Sequence, residues 1–176
     1  MSLQKSRPLI FLAFLTAVAC SVHIVESLVS RSLPFPFLRL GLSNVVVLYL
    51  VMEKQVWQAV AVNVTKSLIG GVATFTFLTP GTVLSLGAGF GAIIVMELAR
   101  RSQLGFSIYG ISLAGATAHN LVQMLIIKWV VLNQRGVFML TPIMLFLGLI
   151  SGLLIARIAQ SVFPRINELR LIDNDL

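Results

Sequence analysis

Charged residues are scarce in this sequence. Of its 176 residues, 11% are charged and six are Asp or Glu, whereas 57% are hydrophobic. A soluble domain normally carries about 25% charged residues. The longest mainly polar stretch is the end of the chain, Arg165–Leu176. The composition therefore predicts one compact membrane domain, residues 1–164, followed by a short polar cytoplasmic tail, residues 165–176.

The acidic residues are too few to balance the basic ones, and the net charge is +7. A basic chain suggests nucleic-acid binding, but these charges stand in short clusters at the ends of apolar runs, such as Lys5–Arg7 and Arg100–Arg101. Such clusters are typical topology signals of membrane proteins. The expected surroundings are a lipid bilayer, and no nucleic acid is predicted as a partner.

The single cysteine, Cys20, lies inside an apolar run, so neither an internal disulfide nor a cysteine metal site is expected. Both aspartates, Asp173 and Asp175, are in the tail, which leaves no aspartate pair to bind a diphosphate through magnesium. The sequence also lacks a nucleophile elbow and a phosphate-binding P-loop. We therefore expect no catalysis, no ATP hydrolysis and no cofactor.

Long apolar runs dominate the sequence, and about 20 apolar residues cross a bilayer as a helix. The first run follows Lys5 and Arg7 and is too long for a signal-peptide core, so it is expected to remain as a helix. The runs lack the alternation of barrel strands, which predicts an all-α bundle of about six transmembrane helices. The six predicted spans are Pro8–Val29, Leu38–Met52, Val56–Leu78, Thr82–Leu98, Phe106–Leu132 and Phe138–Phe163.

The connections between these spans are short. Pro34 and Pro36 predict an extended loop, while Thr79–Gly81 and Asn133–Gly136 predict tight turns. With the amino terminus in the cytoplasm, the inner segments hold seven basic residues and the outer ones hold three, Arg31, Arg39 and Arg135. This asymmetry predicts that both termini are cytoplasmic, in a multi-pass protein of the plasma (inner) membrane.

Small residues recur every four positions in several spans. Gly87 and Gly91 have this spacing in the fourth span, Gly148 and Gly152 in the sixth, and Ala13 and Ala17 in the first. Such stripes let helix backbones approach closely. The simpler interpretation is packing within the bundle, and the alternative is a docking surface for another membrane subunit.

Polar and ionisable side chains also occur inside the spans, where they are costly and usually face a cavity or a partner. One interpretation is that these groups satisfy one another, for example Glu26 with Lys66 or Arg39. The other is a pocket for a polar solute, open to the outside, in which Lys66 and Arg39 attract an anion. A metal site is disfavoured, because no close ligand pair such as His-x-x-x-His occurs. The candidate substrate-binding residues are His23, Glu26, Arg39, Asn44, Asn63, Lys66, His119, Asn120 and Gln123.

Three segments carry a resemblance to a known family. They are Glu26–Ser27 with the proline loop and Leu40–Asn44, the stretch Ile111–Gln123 with its G-A-x-x-H-N-x-x-Q pattern, and Leu140–Ile143 with Gly148–Gly152. Together they resemble the Gx transporter family, often labelled heptaprenyl diphosphate synthase component I, over about residues 20–160. That family tends to carry an arginine where this chain has Lys66, so the charge is kept and the bidentate fork is lost.

The family is in turn similar to the substrate-binding S components of energy-coupling-factor transporters. The resemblance implies a solute-binding importer subunit for a small anionic vitamin or cofactor precursor. It also implies docking through Ala13 and Ala17 to a transmembrane coupling subunit with an ATPase pair. The older family label leaves a second function open, a non-catalytic membrane subunit of prenyl diphosphate synthesis. A third is a structural subunit of a larger membrane complex, whose polar groups pair internally.

Overall fold

The computed structural model describes residues 3–32, 40–77, 79–131 and 141–174. Within these ranges the backbone forms six α-helices and one π-helical turn, Ile127–Val131, and no strand. The predicted all-α class is confirmed. The helices are α1 (Leu3–Arg31), α2 (Asn44–Met52), α3 (Val56–Ala73), α4 (Pro80–Arg101), α5 (Ile108–Ile126) and α6 (Thr141–Asn174).

Among the described residues, four stretches of helix are long and apolar enough to cross a membrane: Pro8–Arg31, Pro80–Arg101, Ile108–Trp129 and Thr141–Ile166. The two other predicted spans are shorter elements of the bundle. Helix α2 has nine residues, or about 13 Å at 1.5 Å per residue, which is less than half of a hydrocarbon core of about 30 Å. Helix α3 has 18 residues and contains Asn63 and Lys66, both buried.

The start of α2 explains why this helix is short. Its span was predicted from Leu38, but the helix begins at Asn44. Gly41 has a φ of +71°, which a right-handed helix excludes and glycine readily adopts. The amide of Asn44 then donates to the carbonyl of Gly41 at 2.8 Å, which forms a turn directly before the helix. The chain thus enters α2 from inside the bundle.

The junction between α3 and α4 corrects the prediction of a turn at Thr79–Gly81. Helix α3 ends at Ala73, before Phe75, which has a φ of +54°. Pro80 and Gly81 are instead the first residues of α4, and the hydroxyl of Thr79 accepts a hydrogen bond from the amide of Gly81 at 3.3 Å. A threonine cap followed by proline in the first turn is a common helix start.

Helix α6 extends past its predicted end at Phe163. It continues through Pro164 to Asn174, so the segment predicted as a polar tail is helical over residues 165–174. The predicted proline loop at Pro34 and Pro36 and the turn at Asn133–Gly136 lie outside the described residues.

Helix α2 forms the centre of the packing. It contacts α1, α3, α4 and α6, and its residues Val46–Val51 are all buried. The ring of Tyr49 meets Phe11 of α1 at a centroid distance of 6.2 Å and Phe163 of α6 at 5.0 Å, both edge to face. The beginning of α1 and the later part of α6 therefore meet at one end of the bundle. We call this end the Arg100 end, because α4 also ends there. The opposite end of the bundle, where α1 ends, is called the Arg31 end.

The glycine stripes of α4 and α6 pack inside the bundle. A methyl group on Gly87 would lie 2.5 Å from Cδ1 of Ile126, and one on Gly91 would lie 2.6 Å from Cγ2 of Val122. Both contacts are with α5, and Gly148 and Gly152 also face α5. Ala13 and Ala17 differ, since both are exposed on α1. Internal packing thus accounts for the glycine stripes and not for the alanine stripe.

Candidate functional site

A small polar cavity lies among α1, α3, α4, α5 and the start of α2. It offers about 10 Å³ to the centre of a water molecule, which is room for one water. A larger solute requires the surrounding helices to move apart. The residues that line this polar cavity are His23, Glu26, Ser43, Lys66, Leu84, Ser85, His119 and Gln123.

Lys66 of α3 is the most deeply placed charge in the cavity wall, with 2% of its surface exposed. Its ammonium donates to the hydroxyl of Ser43 at 3.0 Å and to the side-chain oxygen of Asn44 at 2.6 Å. A buried ammonium at membrane depth is costly. Such groups usually pair with other polar groups and mark functional sites. Lys66 thus connects α3 to the start of α2.

Asn44 extends this contact to α5. Its amide nitrogen lies 3.3 Å from Nδ1 of His119, while its oxygen accepts from Lys66. Gly41 makes the arrangement possible, because a methyl group there would lie 2.9 Å from the Asn44 amide nitrogen and 3.4 Å from Nε2 of His119. One asparagine therefore fixes two ionisable side chains from two helices.

Glu26 brings a carboxylate from α1 to the same wall. One of its oxygens accepts a hydrogen bond from the backbone amide of Gly41, directly before α2. Glu26 and Lys66 both line the polar cavity. The cavity therefore holds a negative charge as well as a positive one.

His23 of α1 forms the side of the cavity that faces α4. Its Nε2 lies 3.3 Å from the hydroxyl of Ser85, which is 2.9 Å from the hydroxyl of Ser67 on α3. The ring lies against Gly70, where an added methyl would be 2.3 Å from Cδ2. The imidazole thus joins a chain of hydroxyl groups that crosses three helices.

The short helix α2 adds a further positive contribution. Ser43, the residue before its first turn, lines the cavity, so the amino-terminal end of α2 is directed into the centre of the bundle. This end carries the positive partial charge of the helix dipole, about half an elementary charge. The positive charge of this helix end and of Lys66 together exceeds the single negative charge of the Glu26 carboxylate. The electrostatics of the centre consequently favour an anionic group.

The structure does not bring every candidate residue to this cavity. Asn63 is fully buried one turn from Lys66 and donates to the carbonyl of Leu86 on α4 at 3.2 Å. Asn120 faces α6 and donates to the carbonyl of Met144 at 2.5 Å. Arg39 lies outside the described residues. The cavity wall thus contains five of the nine candidates, with Asn44 directly behind it.

The sequence interpretation missed three residues of the wall, Ser43, Leu84 and Ser85. Ser85 was the least expected, because α4 contributed no candidate. The available signal was the pair Thr82 and Ser85, which are three positions apart and both buried on one face of α4. Serine alone is a weak signal in a membrane helix, where its hydroxyl often bonds its own backbone.

The chemistry of the cavity suits binding of a polar group. It presents an ammonium, a carboxylate, two imidazoles, an amide and two hydroxyl groups. In the part of the chain that is described, no three His, Cys, Asp or Glu side chains form a group that would hold a metal ion.

Fold and site together define a multi-pass helical membrane protein with a buried polar centre. The sequence profile of the family described as heptaprenyl diphosphate synthase component I matches residues 15–162. The chain belongs to this family, and the resemblance found in the sequence is confirmed. In the same comparisons no curated protein and no solved structure matches the chain.

Proposed function

We propose that this chain is the solute-binding membrane subunit of an importer of the energy-coupling-factor type, specific for a small anionic vitamin or cofactor precursor. The observation that carries the proposal is the polar cavity, in which α1, α3, α4 and α5 direct polar side chains towards the start of α2. Several ionisable groups at one depth of a membrane bundle are rarely retained for stability alone.

The anionic character of the solute is inferred from the charges of the centre. The ammonium of Lys66 and the positive end of α2 meet at Ser43 and Asn44, and the broken helices of known transporters bind anionic groups in this way. Because Glu26 neutralises part of this charge, a solute with a single small anionic group fits better than one with several.

The small volume of the cavity indicates how transport would proceed. With room for one water, the centre has to open before a solute is bound and again before it is released. We assign no catalytic step to this chain, so the energy for this motion comes from partner subunits. The proposed partners are a transmembrane coupling subunit in the plasma membrane and a pair of ATPases on its cytoplasmic side.

A surface on α1 supports docking of the coupling subunit. Ala13 and Ala17 line a groove of about 450 Å³ between α1 and α3, with Ala61 and Thr65 on the opposite wall. Small side chains on both walls let a second helix approach closely. We call this surface the α1–α3 groove.

The experiment that tests this proposal is gentle solubilisation from the native membrane followed by mass spectrometry of the co-purifying proteins. We expect a coupling subunit and two ATPases with the wild type. Ala17→Leu, which fills the α1–α3 groove, is expected to lose them. Val18→Leu, a control on another exposed face of α1, is expected to keep them. Recovery of a prenyl diphosphate synthase without ATPases would contradict the importer.

The description of the matched family favours a second candidate function. A component of heptaprenyl diphosphate synthase that lies in the membrane would anchor a soluble synthase and help to handle its lipid product. The same experiment separates the two candidates, because the anchor requires a soluble partner and no ATPase pair.

A further inference from the structure

A second hollow lies on the other side of Glu26, and its lining is mostly apolar. It has a volume of about 370 Å³ and runs along the last turns of α1. Val25 and Val29 are 60% and 58% exposed there, within the membrane-spanning part of α1. We call it the Val25 groove. Its walls are Ser21, Val22, Val25, Glu26, Val29, Ser30, Leu40 and Leu42.

Glu26 lines both the polar cavity and the Val25 groove. Its carboxylate accepts from the amide of Gly41, and the next residue, Leu42, lines the groove. Residues 40–43 precede α2 and are not helical. Among the described residues, Glu26 and the non-helical stretch 40–43 therefore border both the buried centre and the groove.

The two hollows differ in size and polarity in a complementary way. The polar cavity has room for one water, so a small anionic head that opens it finds no space there for the rest of its molecule. The adjoining space of about 370 Å³ has valine and leucine walls. A molecule whose anionic head reaches Lys66 would therefore place its remaining atoms against apolar side chains.

We propose that the ligand is an amphipathic molecule with one apolar chain, whose anionic head binds at Lys66 and whose chain lies in the Val25 groove. This inference rests on the proposed function and narrows its solute class. Val22, Val25 and Val29 lie one above the other on a single helix face, which suits one chain laid along α1. The ligand enters sideways from the bilayer as Glu26 turns away from Gly41.

The test uses alkyl phosphates of increasing chain length, from ethyl to octyl phosphate, with inorganic phosphate as the chainless member. Equilibrium binding is measured on the full chain in lipid nanodiscs, and partition into empty nanodiscs is subtracted. For the wild type we expect binding to tighten about three- to fourfold per added CH₂ until the groove is filled. Inorganic phosphate is expected to bind most weakly.

Two matched variants test where the chain lies. Val25→Trp fills the Val25 groove and is expected to abolish the dependence on chain length, so that octyl phosphate binds no more tightly than ethyl phosphate. Leu28→Trp, at a position on α1 that is 51% exposed and does not line the groove, is expected to behave as the wild type. Both positions face the membrane, and thermal stability equal to that of the wild type in both variants shows that folding is intact.

Three results would overturn the inference. Phosphate binding without any dependence on chain length would refute the apolar chain and leave the importer intact. Equal effects of Val25→Trp and Leu28→Trp would show that the groove holds annular lipid only. If none of the phosphates bound, the anion site would be refuted as well. The evidence for the proposed function would then have to come from the proteins that co-purify.

Discussion

The ammonium of Lys66 lies 2.6 Å from the side-chain oxygen of Asn44, the first residue of α2. This contact ties the buried cation of α3 to the helix that begins inside the bundle. It also orients Asn44 towards His119, 3.3 Å away. The wall of the polar cavity and the packing of the central helix consequently depend on the same bond.

Substitution of Lys66 is expected to affect stability and binding separately. Lys66→Met leaves the carboxylate of Glu26 without the positive charge that shares its cavity, and we expect a loss of about 3 kcal/mol in unfolding free energy. The double variant Lys66→Met with Glu26→Gln is expected to recover most of that stability and still to retain no solute. Thermal unfolding in detergent and mass spectrometry of bound small molecules measure the two effects. A double variant as unstable as Lys66→Met would refute this coupling.

Asn120 and Gln123 are neighbours on α5 with different predicted roles. Asn120 bonds the Met144 carbonyl of α6, so Asn120→Ala is expected to cost about 1 kcal/mol in stability and to leave solute retention unchanged. Gln123 lines the polar cavity, and Gln123→Ala is expected to weaken solute binding about tenfold, as loss of one hydrogen bond does. If Asn120→Ala retained less solute although all of the protein was folded, this division of roles between Asn120 and Gln123 would be contradicted.

Gly89 provides the space that Asn63 occupies between α3 and α4. A methyl group on Gly89 would lie 1.9 Å from Oδ1 of Asn63, so Gly89→Ala is expected to lower the unfolding free energy by about 1–3 kcal/mol. Adding Asn63→Ala to this variant removes the clash and is expected to restore part of the loss. The measurement is a double-mutant cycle of thermal unfolding. Strictly additive effects would show that the two residues are not coupled.

The orientation in the membrane is a separate prediction. Lys54, Arg100 and Arg101 lie at the Arg100 end, where α1 also begins, so this end is expected to face the cytoplasm. In a Cys20→Ala background, a membrane-impermeant maleimide should label Ser32→Cys in intact cells. It should label Gln103→Cys, between α4 and α5, only after permeabilisation. The reverse pattern would invert the topology and place the polar cavity nearer the cytoplasm.

The length of the apolar runs made the fold class predictable from the sequence. The isolated polar residues within those runs made much of the candidate site predictable. Lys66, His119 and Glu26 could be found because ionisable groups are rare in apolar runs. The half-length of α2 could not, because leucines at positions 38, 40 and 42 extend the apolar run of residues 45–52 towards its amino end. The break depends on the backbone of Gly41. The directions of Asn63 and Asn120 depend on helix rotation, which an apolar pattern on all sides of a helix does not fix.

The measurement that tests the central claim most directly is the identification of the small molecule that stays bound to the purified protein. The wild type and the double variant Lys66→Met with Glu26→Gln are isolated side by side without added ligand, and their bound molecules are analysed by mass spectrometry. The account predicts one anionic molecule per wild-type chain and none in the equally folded variant. Equal amounts in both proteins, or none in the wild type, would contradict a solute site at Lys66.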